Sequence, residues 1–216
     1  MTRADDPHGD QPVVRRGPPL EEARAALLLV HGRGASAESI LTLAEELDLE
    51  SIAYLAPQAA GGTWYPHSFL APIESNEPGL SSGLRRLATL VEEIEVAGIP
   101  VEKLAILGFS QGACLTLEFA ARNPRRYGAI VAFTGGVIGP PEAPRDDSGS
   151  LAGTPVFLGS SDPDPHVPVW RFRETVEVLT RLGAEVTPRL YAGMPHTVNR
   201  DEILQARALL QALVVT

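Results

Sequence analysis

A single cysteine, Cys114, occurs among 216 residues, which excludes an internal disulfide. It falls one turn into an apolar-periodic stretch and reads as a small buried hydrophobe rather than a reactive thiol. Lysine is equally scarce: Lys103 is the only one, and the other basic residues are Arg. The 18 basic side chains are outnumbered by 27 acidic ones, and the net charge of −9 argues against nucleic acid or an anionic membrane as the main partner. No run approaches the ~18 apolar residues of a membrane span, so no stable membrane insertion is expected. The opening MTRADDPHGDQP has no apolar core, so no secretory signal is expected and the expected location is cytoplasmic. There are no internal repeats, no H-E-x-x-H and no clustered His/Asp spacing, so no metal is expected.

What remains is a globular composition, 44% hydrophobic and 21% charged, long enough for one domain with a sizeable core. Residues 1–20 are polar and rich in Pro, Asp and Gly; they read as a mobile tail, with Val13-Val14 adding an edge strand. Residues 21–216 read as a single domain. Apolar runs at 25–30, 52–56, 104–107, 127–133, 155–158 and 186–191 predict strands. Amphipathic or capped stretches from Ser36 to about Leu47, over 80–97, after Ser110, from Val169 and from about Asn199 predict helices. This alternation predicts an α/β fold, a mostly parallel sheet with helices on both faces.

Gly108-Phe109-Ser110-Gln111-Gly112 sits between a strand and a helix. There, G-x-S-x-G is the nucleophile elbow. A sharp strand-to-helix turn exposes the Ser110 hydroxyl, and glycines on either side let neighbouring chain pass closely. The helix behind it aims backbone N–H groups and a positive dipole end at any oxyanion formed there. Ligands of such sheets bind at the carboxyl ends of the strands. Three useful groups fall at such ends in the order Ser110, then Asp162 or Asp164, then His196. A serine hydroxyl is a poor nucleophile; His196 would serve as general base, and the carboxylate would hold its tautomer. The oxyanion donors are expected to be the backbone N–H of Gln111 and that of Arg33, from the His31-Gly32-Arg33-Gly34 loop. Of the other histidines, His8 reads as inert, His31 as a structural hydrogen-bonding group, and His166 as shaping its own loop. The long irregular stretch 57–79 carries Trp64, Tyr65, His67 and Phe69, which are expected to line the substrate pocket, although such aromatics also serve simply to cover a core.

These motifs together resemble the phospholipase/carboxylesterase family of α/β-hydrolases, which includes the acyl-protein thioesterases. The resemblance runs from about Ala25 onward. It rests on Val30-His31-Gly32-Arg33-Gly34, Pro57-Gln58, Trp64, the Gly108–Gly112 block, Asp164-Pro165-His166-Val167-Pro168 and Gly193-Met194-Pro195-His196. It implies an α/β-hydrolase fold, Asp164 as the triad acid, a short-chain ester substrate cleaved through an acyl-serine intermediate, and no cofactor. The H-G-R-G-A start is closer to bacterial predicted esterases than to eukaryotic thioesterases, whose loop usually reads H-G-x-G-D; Ala35 replaces that acid. An acyl-thioesterase or a lysophospholipase on the same triad is the alternative, and homodimer formation is left open.

Two other readings compete. Gly32-Arg33-Gly34-Ala35-Ser36-Ala37 matches the G-x-G-x-x-A dinucleotide fingerprint of an NAD-binding oxidoreductase. The next strand, however, ends Leu55-Ala56-Pro57, where an acidic residue should meet the ribose; Asp48 and Glu50 come before it. A binding module without catalysis would not need all three members of the triad.

Overall fold

The computed structural model describes residues 5–141 and 143–215. Seven strands form one sheet: β1 (Val13–Arg16), β2 (Ala25–Val30), β3 (Ile52–Pro57), β4 (Leu104–Phe109), β5 (Ala129–Phe133), β6 (Pro155–Asp162) and β7 (Glu185–Ala192). Their order is β1-β3-β2-β4-β5-β6-β7; β1 runs antiparallel to β3 and every other neighbouring pair is parallel. The helices are α1 (Ala37–Ile40), α2 (Thr42–Leu47), α3 (Gly79–Val96), α4 (Gln111–Arg122), α5 (Val169–Arg181) and α6 (Arg200–Val214). The stretch after Ser36 forms two short helices that meet at Leu41 rather than one.

Side chains alternate across a strand, so a run such as AALLLV is apolar throughout only if both faces are covered. Both are. Ala26, Leu28 and Val30 pack in the core layer that holds α3, α4 and α5. Ala25, Leu27 and Leu29 pack in the layer that holds α1, α2 and α6. Each fully buried leucine contributes roughly 1.5–3 kcal/mol, so β2 is held by the whole sandwich rather than by its own propensity.

Two elements depart from expectation. β6 does not stop at Leu158 but continues to Asp162, where Gly159–Asp162 pair with Arg189–Ala192 of β7. The extension is Gly-Ser-Ser-Asp, a polar run that apolar periodicity cannot register. The second departure is the expected tail. Residues 1–4 lie outside the described residues, but 5–20 are docked. β1 adds the edge strand, and upstream of it Asp6 accepts from Ser82 Oγ at 2.6 Å while His8 is buried. Polar composition suggested solvation; here the polar groups find partners on α3.

The irregular segment after β5 is pinned by a buried charge. Glu118 on α4 is 1% exposed, pairs with Arg122 at 2.6 Å and Arg145 at 3.0 Å, and accepts the Ile138 N–H at 2.8 Å. Among the described residues, no helix is long and apolar enough to cross a membrane.

Candidate active site

The site begins with a backbone fact. Ser110 has φ 55° and ψ −118°, between the end of β4 and the start of α4. A non-glycine residue in that region carries roughly 1–3 kcal/mol of strain and persists only where its surroundings over-determine it. Here a side chain on Gly108 would run into the Gly112 carbonyl, and one on Gly112 would run into the Val30 carbonyl. The Ser110 N–H is tied to the Phe133 carbonyl at 2.9 Å. The two glycines thus let α4 sit directly on the strand ends and hold the turn closed.

The Ser110 hydroxyl lies 2.9 Å from His196 Nε2, and His196 Nδ1 lies 2.8 Å from Asp164 Oδ2. An ionised carboxylate only accepts, so Nδ1 carries the proton and Nε2 is free to accept from the serine. Asp164 also accepts Ser161 Oγ at 2.8 Å and the backbone N–H groups of His166 and Val167 at 2.8 and 2.7 Å. Burial pushes its carboxyl up. The hydrogen bonds from His196, Val167, His166 and Ser161 together outweigh that and hold it below the ordinary aspartate range. Asp162 is exposed, and among the described residues its carboxylate has no hydrogen bond or ion pair with His196; its backbone carbonyl accepts the Gly193 N–H. The structure therefore brings Ser110, Asp164 and His196 together and leaves Asp162 outside.

Around this chain of hydrogen bonds lies a cavity of about 520 Å³. Tyr65, His67 and Phe69 line it, as does the Arg33 side chain, whose guanidinium donates to the carbonyls of Pro66 at 2.8 Å and His67 at 2.6 Å. The loop that carries Arg33 is thereby strapped to the pocket wall. Trp64 departs from expectation. It is fully buried in the core, its indole N–H donates to the His31 carbonyl at 2.9 Å, and it does not reach the cavity. Its large apolar ring is satisfied beneath the site instead of in it. His31 makes the structural hydrogen bonds expected of it, through Nδ1 to the Gly32 carbonyl and through Nε2 from the Ala59 N–H.

The cavity also has a wall that sequence reasoning missed. Phe109, His166 and Val167 line it, and the His166 ring meets the His196 ring edge-on, with centroids 4.8 Å apart. His166 and Val167 sit inside the Asp164–Pro168 motif, which was the available signal. Cys114 also lines the cavity; burial pushes its thiol up to about 12, so it is inert as a nucleophile.

The two expected oxyanion donors belong to segments that meet at Ser110. Gln111 is the first residue of α4, where a helix leaves its N–H groups without intrahelical acceptors. Among the described residues, no acceptor meets the Arg33 N–H. A side-chain carbon at Gly32 would lie 3.4 Å from Ser110 Cβ, so this loop passes directly over the serine. Such an arrangement can accept a proton from a hydroxyl, shelter a developing alkoxide and hold a small acyl group. Among the described residues, no group of three or more His, Cys, Asp or Glu is placed to hold a metal ion.

A family model described as Phospholipase/Carboxylesterase matches residues 13–214. The chain belongs to the phospholipase/carboxylesterase family. Its relatives are hydrolases of esters and thioesters. Acyl-protein thioesterase 1 of Debaryomyces hansenii is 28% identical over 217 residues, covering 90% of this chain and 94% of that protein. A solved phospholipase/carboxylesterase from Dyadobacter fermentans superposes with a TM-score of 0.90 at 44% identity, covering 94% of this chain and 97% of that one. The esterase PE8 superposes at 0.76 with 25% identity, covering 94% and 98%. The seven-stranded sheet is thus the α/β-hydrolase fold, and membership of the family makes the chain a hydrolase of the carboxylesterase and acyl-protein thioesterase type.

Proposed function

We propose that the chain is a serine carboxylesterase that hydrolyses short-chain carboxylic esters through an acyl-serine intermediate. The observation that carries this reading is the continuous hydrogen-bond chain from Ser110 through His196 to Asp164, opening onto the 520 Å³ cavity. In the reaction, His196 Nε2 takes the Ser110 proton as Oγ bonds to the ester carbonyl carbon. The carbonyl oxygen becomes an oxyanion facing the N–H groups of Arg33 and Gln111, where each such donor contributes roughly 3–4 kcal/mol to the transition state. The tetrahedral intermediate collapses, the bond to the alkoxy oxygen breaks, and His196 passes its proton to the departing alcohol. Water then repeats the sequence on the acyl-serine, releasing the acid and returning the proton to Ser110. Asp164 stays ionised throughout and stabilises the imidazolium.

Tyr65, His67 and Phe69 bound the acyl group in this reading. The Arg33 guanidinium holds their loop in place, which limits the depth of the pocket and favours short chains. Thioester hydrolysis is a second reading, supported by the likeness to an acyl-protein thioesterase. The decisive test is an organophosphonate probe with p-nitrophenyl acetate and butyrate as substrates. The probe should add its mass to the Ser110 peptide and abolish turnover, and Ser110→Ala should neither label nor turn over. Labelling at any other residue would refute the assignment.

A further inference from the structure

His8 is 2% exposed and lies on the segment that precedes β1. Its backbone N–H donates to Ser82 Oγ on α3 at 2.9 Å. Its ring lies 2.9 Å from the Trp64 carbonyl through Nε2 and accepts the Ala60 N–H at Nδ1, at 3.0 Å. A backbone amide only donates, so Nδ1 must carry a lone pair, and the proton rests on Nε2, aimed at the carbonyl. The ring is therefore neutral. His31 repeats the arrangement one residue earlier, its Nε2 accepting the Ala59 N–H at 3.0 Å. Two consecutive backbone amides are thus held by two neutral imidazoles. The Trp64 ring touches both, 5.1 Å from His8 and 5.2 Å from His31.

The loop held in this way reaches both sides of the candidate oxyanion pocket. The Gly62 carbonyl accepts the Gly34 N–H at 2.8 Å, beside Arg33. The Trp64 N–H donates to Gln111 Oε1 at 2.9 Å, and Gln111 Nε2 donates back to the Tyr65 carbonyl at 2.8 Å. We infer that His8 is a positioning residue: as a neutral acceptor it clamps the 59–65 loop against α3, and that loop sets Arg33, Gln111 and Tyr65 around Ser110. The clamp itself stands on the hydrogen bonds alone; its effect on rate rests on the esterase reading.

The clamp is also sensitive to acid. The charged groups facing His8 are Asp6 on its own segment and Arg86 on α3, and the titratable His31 lies after β2; Arg85, also on α3, pairs with Asp6 at 3.3 Å. Burial pushes the His8 imidazole below its ordinary range, only partly offset by the Trp64 carbonyl and Asp6, so the ring is neutral at neutral pH. When it does take a second proton, an N–H faces the Ala60 N–H and the contact is lost.

Hydrogen exchange of the 58–65 peptide tests this in the full chain, with His8→Ala and His8→Asn beside the wild type. Asparagine places an oxygen near the position of Nδ1, an acceptor that does not titrate. His8→Ala should exchange about tenfold faster over 59–65, because a buried donor has lost its partner. It should also lower kcat on p-nitrophenyl acetate more than it raises KM. His8→Asn should restore both at neutral pH. As the pH falls below the ordinary histidine range, exchange corrected for its intrinsic rate should rise more in the wild type than in His8→Asn, where His31 alone still titrates against this loop. Equal protection of wild type and His8→Ala at neutral pH would overturn the clamp. If His8→Ala does not fold, a wild type that keeps the protection of His8→Asn throughout the acid range overturns it equally. A wild type that shows the expected exchange pattern but cleaves no ester sinks the esterase reading and leaves the clamp standing.

Discussion

Ser110 occupies a backbone conformation that serine rarely adopts, and the close passage of chain at Gly108 and Gly112 is what keeps it there. Gly112→Ala should therefore cost folding stability as well as activity, since the new methyl meets the Val30 carbonyl; thermal melts and turnover measured together would show both losses. The choice of acid is equally local. Asp164→Asn removes the acceptor that sets the His196 tautomer and should cut kcat by up to ~10⁴, with the hydrogen-bond geometry otherwise preserved. Asp162→Asn should change kcat little, because its carboxylate does not reach the imidazole; the reverse pattern in steady-state kinetics would reassign the acid. Arg33 acts through two parts. Its N–H is main chain and survives substitution, while its guanidinium ties down the Pro66 and His67 carbonyls. Arg33→Ala should accordingly raise KM through a loosened wall and harm kcat far less than Ser110→Ala does.

At the level of single elements, α6 carries a buried acid at its start. Glu202 is fully buried, its Oε2 accepts the Asn199 N–H at 2.9 Å, and its other oxygen packs against Gly159 of β6 with no hydrogen-bond partner among the described residues. Burial pushes its carboxyl from 4.5 up to about 7, although the capping contact at Asn199 works against the shift. Between those values the folded chain keeps a proton that the unfolded chain has released. Stability should thus fall as pH rises through this window and be lowest above it, by about 3 kcal/mol from this group. Denaturant titrations across that range would reveal the slope, and Glu202→Gln should flatten it and stabilise the protein at alkaline pH. Glu118 differs because it is paired on two sides. Replacing it with Ala would leave the buried Ile138 N–H without its acceptor, while Arg145 keeps Asp147 at 2.7 Å, and should cost about 1–3 kcal/mol. Most elements could be read from the chain: the apolar runs of β2, β4 and β5, and the one-sided pattern of α3, whose Leu87, Val91 and Ile94 are all buried. The end of β6 could not, since Gly159-Ser160-Ser161-Asp162 is a strand only because β7 lies alongside it.

Across the whole molecule, the sheet gathers Ser110 from the end of β4, Asp164 from beyond β6 and His196 from beyond β7 at one edge, as the carboxyl ends of parallel strands must. The cavity at that edge is modest in volume and walled by a loop strapped down at Arg33. In an acyl-chain series of p-nitrophenyl esters, kcat/KM should peak at acetate to butyrate and decline for longer chains. A parallel thioester series would separate the two ester classes. A peak at long acyl chains would place the chain with the lysophospholipase alternative.

What the linear pattern could decide was whatever depends on near neighbours: the strand before Ser110, the glycines around it, the helix behind it, and a histidine after the last strand. Hydrophobic period and turn chemistry are local, and local signals survive in a bare sequence. Spacing alone left Asp162 and Asp164 equivalent, two residues apart; the fold separates them, because Asp162 ends β6 and the turn beyond it aims Asp164 at an imidazole 32 positions away. The same holds for Trp64, an aromatic in a pocket loop that sinks into the core, and for His8, whose polar surroundings in sequence become partners 52 to 74 residues distant in the fold. Burial and hydrogen-bond satisfaction are properties of the packed chain, and only the packed chain could assign them.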